Sequence, residues 1–551
     1  MDGLMQEVPL TLVHAFERCE RLFGRGGIIT ARADGTRQRT SYAEWADRTR
    51  RLGGGLDALG LSADARVGTF GWNTACHLEV YFAAPCTGRV LHTLNIRLFG
   101  EQVVYIANHA EDEVIFCDRS LLPALWPLID DMKTVRNVVV MDDSGDAGTG
   151  PEVPDDARIG DYEALVAASA PTEWRVDDER RAAAMCYTSG TTGNPKGVVY
   201  SHRSSLLHAM GVLVADGAGL SERDIVLPIV PMFHANAWGL AHAGVLCGAT
   251  QVMPGPDLSP AAIARLIAEE HVTISGGVPT IWLGLLPLID SGEADISSLR
   301  TVLCGGSAVP RTLLESYHRH GVWIHHAWGM TETSPVASMA QVKRSLGPLT
   351  EEQEIELRLT QGLPMPLVDS RIVTPGTTDA LPWDGTSSGE LQVRGPWIAR
   401  DYYRLEGSSE SPLTADGWLR TGDVATIDPE GYIRLVDRTK DLVKSGGEWI
   451  SSVELENAIM GHPDVVEAAV VGVPHPKWDE RPLACVVVRP GATIDREELR
   501  AFLASRVAKW WLPDDVVVID AVPKTSVGKF DKKMLRTRLA EGTLAGRVGV
   551  A

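Results

Sequence analysis

The 551-residue sequence has few cysteines, and they follow no pattern typical of a metal site or a disulfide framework. Its eight cysteines are scattered, and no two of them have Cys-x-x-Cys spacing. Long apolar runs are also missing, because none reaches the roughly 18 residues that a transmembrane helix requires. The acidic start has no hydrophobic stretch of the kind found in signal peptides. We therefore expect a cytoplasmic protein with no transmembrane segment.

The chain has fewer basic than acidic residues. The chain has 52 Lys and Arg against 72 Asp and Glu, which gives a formal net charge of −20. Nonspecific nucleic-acid binding requires a basic surface, so we expect no nucleic-acid partner. A local basic tunnel for an anionic cofactor is compatible with this balance. The hydrophobic content of 44% is ordinary for a globular protein, and a chain of this length can bury a large core.

Alternating helical and strand patterns predict parallel α/β units. The clearest helical segments are 11–23, 41–59, 76–86, 203–214, 259–269 and 279–290. Short apolar runs between them predict strands at 27–32, 66–72, 90–94, 114–117, 138–141, 250–253, 272–276 and 301–304. The chain becomes β-rich from Glu390, and its character changes again after Arg438. We expect an α/β protein: a large N-terminal domain of parallel sheets with a β-rich subdomain, then a small α+β C-terminal domain.

The densest chemical signal is segment 185–202, Met-Cys-Tyr-Thr-Ser-Gly-Thr-Thr-Gly-Asn-Pro-Lys-Gly-Val-Val-Tyr-Ser-His. Glycines allow close approach of the backbone to a ligand, and consecutive N–H groups form an anion-binding concavity. Hydroxyls and a lysine add donors and charge. The Walker A spacing is absent, and the alternative is a surface turn rich in glycine and serine. We predict a phosphate cradle made by Thr188, Ser189, Gly190, Thr191, Thr192, Gly193 and Lys196.

Two further motifs follow strands of the same predicted sheet. Gly305-Gly306-Ser307-Ala308 comes after strand 301–304, and the carboxyl ends of parallel strands are where open α/β sheets bind ligands. A tight turn without a ligand is the alternative. Segment 325–333 begins at the end of a short strand, 322–324. There Trp328 offers a stacking face for a base, and Glu332 an oxygen ligand for Mg²⁺. We reject a metal site made by His325 and His326, because adjacent residues on a strand point to opposite faces.

Three motifs in the last third of the chain are weaker on their own. Thr421-Gly422-Asp423 suits hydrogen bonding to a ribose diol, or it forms an ordinary Asx turn. Segment 437–450 is either a solvated run of charges or a hinge between domains. Segment 523–530 contains Lys529 and suits contact with an anion, or it is a frayed basic tail.

Taken together, these motifs resemble those of the adenylate-forming superfamily, which includes acyl-CoA synthetases, luciferases and the adenylation domains of peptide synthetases. The resemblance extends from about residue 10 to about residue 540. It rests on the 185–202 loop, Trp328-Gly-Met-Thr-Glu332, Thr421-Gly-Asp423, the 437–448 segment and Gly528-Lys529, in the order of the family's motifs. Segments 230–238 and 444–452 are most similar to fatty-acyl-CoA synthetases.

The resemblance implies a two-step reaction that uses ATP, Mg²⁺ and CoA. A carboxylate attacks the α-phosphate of ATP to give an acyl-adenylate and pyrophosphate, and CoA then displaces AMP. It assigns catalysis to Lys529, Glu332 and Thr188, with Thr188 and Glu332 holding Mg²⁺. It assigns nucleotide contacts to the phosphate cradle and to Gly306, Ser307, Ala308, Trp328, Gly329, Thr331, Asp423, Arg438 and Lys440. The family usually has tyrosine where this chain has Trp328, so a hydrogen bond from a phenolic hydroxyl is not expected here.

The resemblance also implies a domain division, 1–437 and 438–551, with a hinge at Asp437. The small domain would rotate between half-reactions, removing Lys529 and bringing Lys444 and Trp449 to the CoA tunnel. The implied acyl pocket contains His234, Trp238, Gly305, Ala327 and Met330, with Trp238 at the position of an aromatic gate or simply a core tryptophan. We expect an ATP-dependent acid–CoA ligase acting on medium- or long-chain fatty acids.

Alternatives remain open. The substrate could be a short thioether or aryl-propenoic acid, or the second nucleophile could be a carrier protein or oxygen instead of CoA. A catalytically silent binding module on the same fold is disfavoured by the intact Lys529 and Glu332. A homodimer is expected of the fatty-acid subgroup rather than indicated by the residues.

Overall fold

The computed structural model describes residues 1–142, 150–188, 194–405, 411–438, 440–445, 448–524 and 530–544, with 448 and 449 as backbone. The strands in these ranges form four sheets. In chain order they are β1 (Gly27–Ala31), β2 (Arg37–Ser41), β3 (Arg66–Phe70), β4 (Val90–Thr93), β5 (Asp112–Asp118), β6 (Asn137–Met141), β7 (Ile159–Asp161), β8 (Ala182–Tyr187), β9 (Gly197–Ser201), β10 (Ile225–Pro228), β11 (Thr250–Met253), β12 (Ile274–Gly277), β13 (Thr301–Gly305), β14 (Trp323–Gly329), β15 (Val336–Met339), β16 (Leu363–Pro364), β17 (Asp369–Val373), β18 (Ser388–Arg394), β19 (Leu419–Ile427), β20 (Ile433–Arg438), β21 (Val443–Ser445), β22 (Glu448–Ile450), β23 (Val465–His475), β24 (Asp479–Val488) and β25 (Asp515–Val518).

The helices alternate with these strands through most of the chain. They are α1 (Leu12–Leu22), α2 (Tyr42–Ala58), α3 (Ala75–Cys86), α4 (Gly100–Ala110), α5 (Leu122–Leu125), α6 (Tyr162–Ala168), α7 (His202–Leu213), α8 (Leu240–Cys247), α9 (Pro260–Glu269), α10 (Pro279–Asp290), α11 (Arg311–Arg319), α12 (Glu351–Leu359), α13 (Ser452–Met460), α14 (Arg496–Leu503) and α15 (Lys532–Ala540). Among the helices in the described ranges, none is long and apolar enough to cross a bilayer.

A seven-stranded sheet places the start of the predicted phosphate cradle. Its order is β7-β6-β5-β3-β4-β8-β9, and its pairs are parallel except for β8 with β9. The central strands β3, β5 and β6 are buried at nearly every residue, as expected of a parallel sheet covered on both faces. Thr188 directly follows β8, at the carboxyl end of the sheet.

A nine-stranded sheet places the second group of predicted residues. Its order is β16-β15-β14-β13-β12-β10-β11-β1-β2, with a parallel centre from β14 to β1 and antiparallel strands at both edges. Since β13 and β14 are parallel neighbours, segment 305–308 and segment 328–332 leave the same edge of the sheet.

The β14 strand is longer than the sequence pattern predicts. The predicted strand ends at Ile324, whereas β14 continues through Gly329. Histidine, tryptophan and glycine interrupt the apolar run that marks a buried strand. The antiparallel strand β15 pairs with Ala327, Trp328 and Gly329, so the strand continues despite this composition.

Two smaller sheets complete the architecture. β17 to β20 form an antiparallel sheet, and β19 and β20 are joined by a turn at Asp428-Pro-Glu-Gly, in which the Gly431 N–H donates to the Asp428 carbonyl. β21 to β25 form the last sheet, which packs with α13, α14 and α15 around apolar residues that include Val443, Leu455 and Leu499. The expected α/β class, with large parallel sheets followed by a smaller α+β unit, is confirmed.

Candidate active site

The carboxylate of Asp423 lies between two predicted nucleotide ligands. Nε1 of Trp328 donates to its Oδ2 at 2.9 Å, and Nε of Arg438 lies 3.3 Å from its Oδ1. Antiparallel pairing of β19 with β20 sets Asp423 opposite Arg438, while β14 delivers Trp328. Asp423 and Trp328 are buried, whereas Arg438 is half exposed. Each carboxylate oxygen has two acceptor positions, so this anchored group can still accept hydrogen bonds from a ribose diol.

Glu332 lies in a short turn, Thr331–Thr333, directly after β14. Its side chain is buried, its Oε1 accepts a hydrogen bond from the Tyr402 hydroxyl at 2.5 Å, and its backbone carbonyl accepts one from Ala399 at 2.7 Å. Within the described part of the chain, no lysine or arginine forms an ion pair with this carboxylate. A buried carboxylate without a cationic partner is costly, and carboxylate and hydroxyl oxygens suit Mg²⁺. Glu332 therefore fits the implied metal.

A path of contacts connects Glu332 to Thr188. Oγ1 of Thr188 accepts from the backbone N–H of Lys196 at 3.1 Å, and the Thr188 N–H donates to the Lys196 carbonyl at 2.9 Å. Nζ of Lys196 lies 4.8 Å from the centroid of the Tyr402 ring. Burial, and then the nearby Glu332 charge, raise the pKa of Tyr402, so its hydroxyl stays protonated and donates to the carboxylate. The turn beside Glu332 is also fixed by Tyr200, whose hydroxyl donates to the Thr331 carbonyl at 2.7 Å.

Three of the five predicted acyl-pocket residues lie together. A Cβ atom on Gly305 would lie 2.4 Å from the Ala327 carbonyl oxygen and 3.5 Å from Cη2 of Trp238. Only glycine therefore fits at 305 without a shift of the backbone. Trp238 packs with Val230, Ala235 and Val278, so its surroundings include apolar side chains. Met330 packs against the core that contains Ala327, while His234 is half-buried just before the turn that carries Trp238.

That turn has an unusual backbone. The four residues from Ala235 to Trp238 all have positive φ, between 42° and 55°, although none is glycine. Such conformations cost free energy and persist only where surrounding contacts hold them. One such contact is the hydrogen bond from the Cys186 thiol to Oδ1 of Asn236, at 3.0 Å. Cys186 is on β8, so this bond couples the turn to the strand that leads to Thr188.

The predicted adenine loop is supported by a histidine. Gly306 has φ of +85°, which favours glycine and turns the chain after β13. Nδ1 of His326 lies 3.2 Å from the Leu359 carbonyl oxygen, and its ring also contacts the backbone of Ser307. Burial lowers the pKa of His326 to about 4, so the imidazole is neutral at pH 7. Gly329 is equally constrained, since a Cβ there would lie 1.7 Å from the Pro335 carbonyl oxygen.

A buried polar cluster surrounds the predicted hinge residue. Oδ2 of Asp437 accepts from the Ser452 backbone N–H at 2.6 Å and from the Ser452 hydroxyl. Nζ of Lys532 donates to the Ser452 hydroxyl at 2.6 Å and lies 2.7 Å from Oε1 of Glu456. Burial raises the pKa of Glu456 to about 7, although Lys532 opposes this shift. The cluster links the end of β20 to α13 and α15.

Several predicted residues are outside the described part of the chain. They are Ser189, Gly190, Thr191, Thr192, Gly193, Lys529 and the side chain of Trp449. Lys440 lies exposed in the turn after β20, where partial desolvation of its ammonium lowers its pKa. Lys444 is on β21, where its Nζ lies 3.6 Å from Asp479 and its backbone N–H donates to Glu480.

Sequence reasoning missed Tyr402, Ser452, Glu456 and Lys532, and it named His326 only to reject it as a metal ligand. A single tyrosine in an irregular segment gives no local signal, and the contact of Tyr402 with Glu332 spans 70 positions. The Lys-Phe-Asp-Lys sequence that begins at Lys529 does show a second lysine three residues later, and that spacing could have drawn attention to Lys532.

Known proteins are similar to this chain in sequence and in fold. The family described as "AMP-binding enzyme" matches residues 24–403, and "AMP-binding enzyme C-terminal domain" matches residues 454–529. A long-chain-fatty-acid–CoA ligase of Thermus thermophilus is 48% identical, over 97% of this chain and 96% of that protein. A 3-methylmercaptopropionyl-CoA ligase of Ruegeria pomeroyi is 44% identical, over 98% and 99%. The crystal structure of ATP-bound MatB from Rhodopseudomonas palustris superposes with a TM-score of 0.81 at 26% identity, covering 97% of this chain and 100% of that one.

Proposed function

This chain belongs to the AMP-binding enzyme family, and from that premise we propose that it is an ATP-dependent acid–CoA ligase for medium- or long-chain fatty acids. The fatty acid and ATP would give an acyl-adenylate and pyrophosphate, and CoA would then give the acyl-CoA and AMP. The observation that carries this proposal is that Trp328, at the end of β14, and Glu332, in the turn after it, bring two groups of ligand-binding side chains together. The Trp328–Asp423–Arg438 group suits a nucleoside, and the buried Glu332 suits a cation on its phosphates.

The first half-reaction requires an anionic carboxylate to approach an anionic phosphate. Cationic groups must therefore screen the repulsion as the new bond forms. We assign this role to Lys529, with Lys196 near the β- and γ-phosphates and Ser189 to Gly193 cradling them. Asp423 and Arg438 would hold the ribose, and Trp328, Gly306, Ser307 and Ala308 the adenine. When bound at Thr188 and Glu332, Mg²⁺ would neutralise phosphate charge.

The acyl group would occupy the region beside Trp238, Gly305 and Ala327. The apolar side chains around Trp238 suit an alkyl chain, whose transfer from water contributes roughly 0.8 kcal/mol per buried methylene. The Thermus relative is named for long-chain fatty acids, which supports the same substrate class for this chain.

The second half-reaction would follow a rotation of residues 438–551 about Asp437. Rotation would withdraw Lys529 and bring Lys444 and Trp449 to the CoA path, so that one active site performs two chemistries. The buried contacts between Asp437 and Ser452 are consistent with a pivot, because they tie the end of the large domain to the first helix of the small one.

A ligase for short thioether acids is the second candidate. It is favoured by the similarity to the 3-methylmercaptopropionyl-CoA ligase of Ruegeria pomeroyi, because the alignment covers nearly all of both proteins. Aryl-propenoic acids, or a nucleophile other than CoA, would use the same adenylation site. We include a cytoplasmic location in the proposal, supported by eight cysteines that are all free thiols, and a homodimer, which light scattering would test.

One assay distinguishes these functions. The enzyme is incubated with ATP, Mg²⁺ and acids from C4 to C18, 3-methylmercaptopropionate and cinnamate, each with and without CoA. Pyrophosphate, AMP and thioester are measured. The proposal expects CoA-dependent thioester with the highest kcat/KM between C8 and C18. A maximum for the thioether acid would favour the second candidate, and pyrophosphate without any thioester would exclude CoA as the nucleophile.

A further inference from the structure

Segment 399–403 connects the two loops of the candidate site. The Ala399 N–H donates to the Glu332 carbonyl at 2.7 Å, and the Tyr403 N–H donates to the Gly197 carbonyl at 2.8 Å. Gly197 directly follows Lys196 and begins β9. The segment is thus fixed at one end to the turn that carries the carboxylate and at the other to the strand that begins beside the lysine. The two loops come from different sheets, so this segment is a physical link between them.

The side chain of Tyr402 makes the same connection with its functional groups. Its hydroxyl donates to Oε1 of Glu332 at 2.5 Å, and its ring lies 4.8 Å from Nζ of Lys196. The phenol therefore touches the carboxylate with its polar end and the ammonium with its ring. Among the described residues, no hydrogen bond to Oε2 of Glu332 is present, which leaves that oxygen available to a cation.

The arrangement also separates two opposite charges. Lys196 and Glu332 both contact Tyr402 but do not form an ion pair with each other. A direct pair would occupy the carboxylate and neutralise the lysine. A cation–π contact and a hydroxyl donor satisfy both groups without that loss.

We propose that Tyr402 is a positioning residue for the metal and the phosphates: its hydroxyl orients the Glu332 carboxylate for Mg²⁺, and its ring keeps the Lys196 ammonium directed to the β- and γ-phosphates. The inference rests on the proposed function, because the metal and the nucleotide are those of the adenylation step. Groups that hydrogen-bond a metal ligand typically change metal affinity 10- to 100-fold when they are removed.

A plain packing role is the competing explanation, since Tyr402 also packs against the core of the large domain. Tyr402→Phe distinguishes the two, because it keeps the ring, its packing and the cation–π contact but removes the hydroxyl. Tyr402→Leu removes the ring as well. Tyr403→Phe is the matched control: it is the same change one position along, where the ring contacts His109 and Arg404 instead of Glu332.

The test measures metal coupling without turnover. Isothermal titration gives the affinity of each protein for α,β-methylene-ATP with and without Mn²⁺, and the ratio of the two affinities is the coupling. We expect Tyr402→Phe to lower this ratio at least tenfold while the affinity for the metal-free analogue changes less than twofold. Tyr402→Leu should weaken binding of the metal-free analogue as well. Tyr403→Phe should match the wild type.

The Mg²⁺ dependence of acid-dependent pyrophosphate release gives a second reading. Tyr402→Phe should need at least tenfold more Mg²⁺ for half-maximal rate and recover most of kcat at saturation. A coupling ratio equal to that of the wild type, or equal losses in the Tyr402 and Tyr403 variants, would overturn the inference. Failure of the wild type to release pyrophosphate with any acid would instead contradict the proposed function, since the coupling is measured without an acid.

Discussion

The indole N–H of Trp328 donates a hydrogen bond to Oδ2 of Asp423 at 2.9 Å. The carboxylate of Asp423 is thereby held from one side by an aromatic residue and from the other by Arg438, at 3.3 Å. The family resemblance led us to expect no hydrogen bond from a phenolic hydroxyl at Trp328, and the indole N–H is the donor found there instead. The same side chain can therefore offer its face to a base and orient the group that we assign to the ribose.

Trp328→Phe should weaken ATP binding. The variant keeps an aromatic face and removes the donor, and a hydrogen bond to a charged group contributes about 1.5–3 kcal/mol. We expect the KM for ATP to rise at least tenfold, with a smaller change in KM for the acid. Steady-state kinetics at saturating acid measure this. Trp328→Tyr should recover part of the loss, and an unchanged KM for ATP in the phenylalanine variant would show that the hydrogen bond does not position the nucleotide site.

Gly305→Ala should impair use of the acid. The new Cβ would lie 2.4 Å from the Ala327 carbonyl oxygen and close to Trp238, so the backbone of β13 or β14 must shift. We expect a loss of at least tenfold in kcat/KM for dodecanoate and a smaller loss for butyrate. Gly160→Ala is the control, because a Cβ there meets only Val139, at 3.8 Å. Equal losses for both acids would contradict a position beside the acyl chain.

Buried histidines should make stability fall in mild acid. Burial lowers the pKa of His242 to about 4 from 6.5. As the pH is lowered, the unfolded chain therefore binds this proton before the folded chain does. The free energy of unfolding keeps its full value above pH 6.5 and decreases as the pH falls towards 4. This shift corresponds to about 3 kcal/mol for a fully buried group. Glu79 and Glu456, with pKa raised to about 7, have the opposite slope.

His242→Leu tests this sign. Between pH 6.5 and 4.5 the free energy of unfolding should fall less in this variant than in the wild type. Its unfolded state no longer takes up the proton that His242 would bind. Urea unfolding at several pH values measures the slope. A slope steeper than that of the wild type would contradict the assignment.

Lys532→Met should destabilise the small domain strongly. Glu456 is buried with Lys532 as its ion-pair partner, and removing one partner of a buried pair typically costs 3–5 kcal/mol. Thermal unfolding monitored by tryptophan fluorescence should show an earlier transition for residues 438–551. Lys532→Arg keeps the charge and should retain more stability. Equal transition temperatures for both variants and the wild type would show that the cluster contributes little to stability.

The local sequence pattern predicted a helix or strand correctly where the conformational preferences of its residues match the structure that they adopt. Helix α10 was expected at 279–290 and has those bounds, because Pro279 suits the first helical turn and apolar residues recur at helical spacing. Strand β14 was expected to end at Ile324, since two histidines interrupt the apolar run there, yet pairing with β15 extends it. The left-handed turn at 235–238 could not be predicted, because four consecutive residues there adopt a backbone that their own preferences disfavour.

The candidate site shows the same limit. Motif order placed Trp328, Glu332, Asp423 and Arg438 in one family pattern, and the structure brings Trp328, Asp423 and Arg438 into contact. Tyr402 was missed because its role depends only on tertiary contacts with Glu332 and Lys196. Residues that belong to a sequence motif can be identified from the sequence. Residues that position other side chains through tertiary contacts can be identified only from the structure.

Lys529→Ala should separate the two half-reactions. We expect it to abolish pyrophosphate release from ATP and acid while thioester formation from CoA and preformed acyl-adenylate stays within about threefold of the wild type, since rotation about Asp437 would withdraw Lys529 before the second step. Rapid-quench assays of each half-reaction measure this. Equal loss of both would contradict the domain division.

Single-turnover mass spectrometry can show whether the ligation proceeds in two steps through an acyl-adenylate. Wild-type enzyme in excess is mixed with ATP, Mg²⁺ and dodecanoate, quenched with and without CoA, and the products are identified. We expect dodecanoyl-AMP and pyrophosphate without CoA, and dodecanoyl-CoA and AMP when CoA is present. Formation of ADP and phosphate in place of AMP and pyrophosphate, or persistence of the adenylate in the presence of CoA, would contradict the two-step ligation.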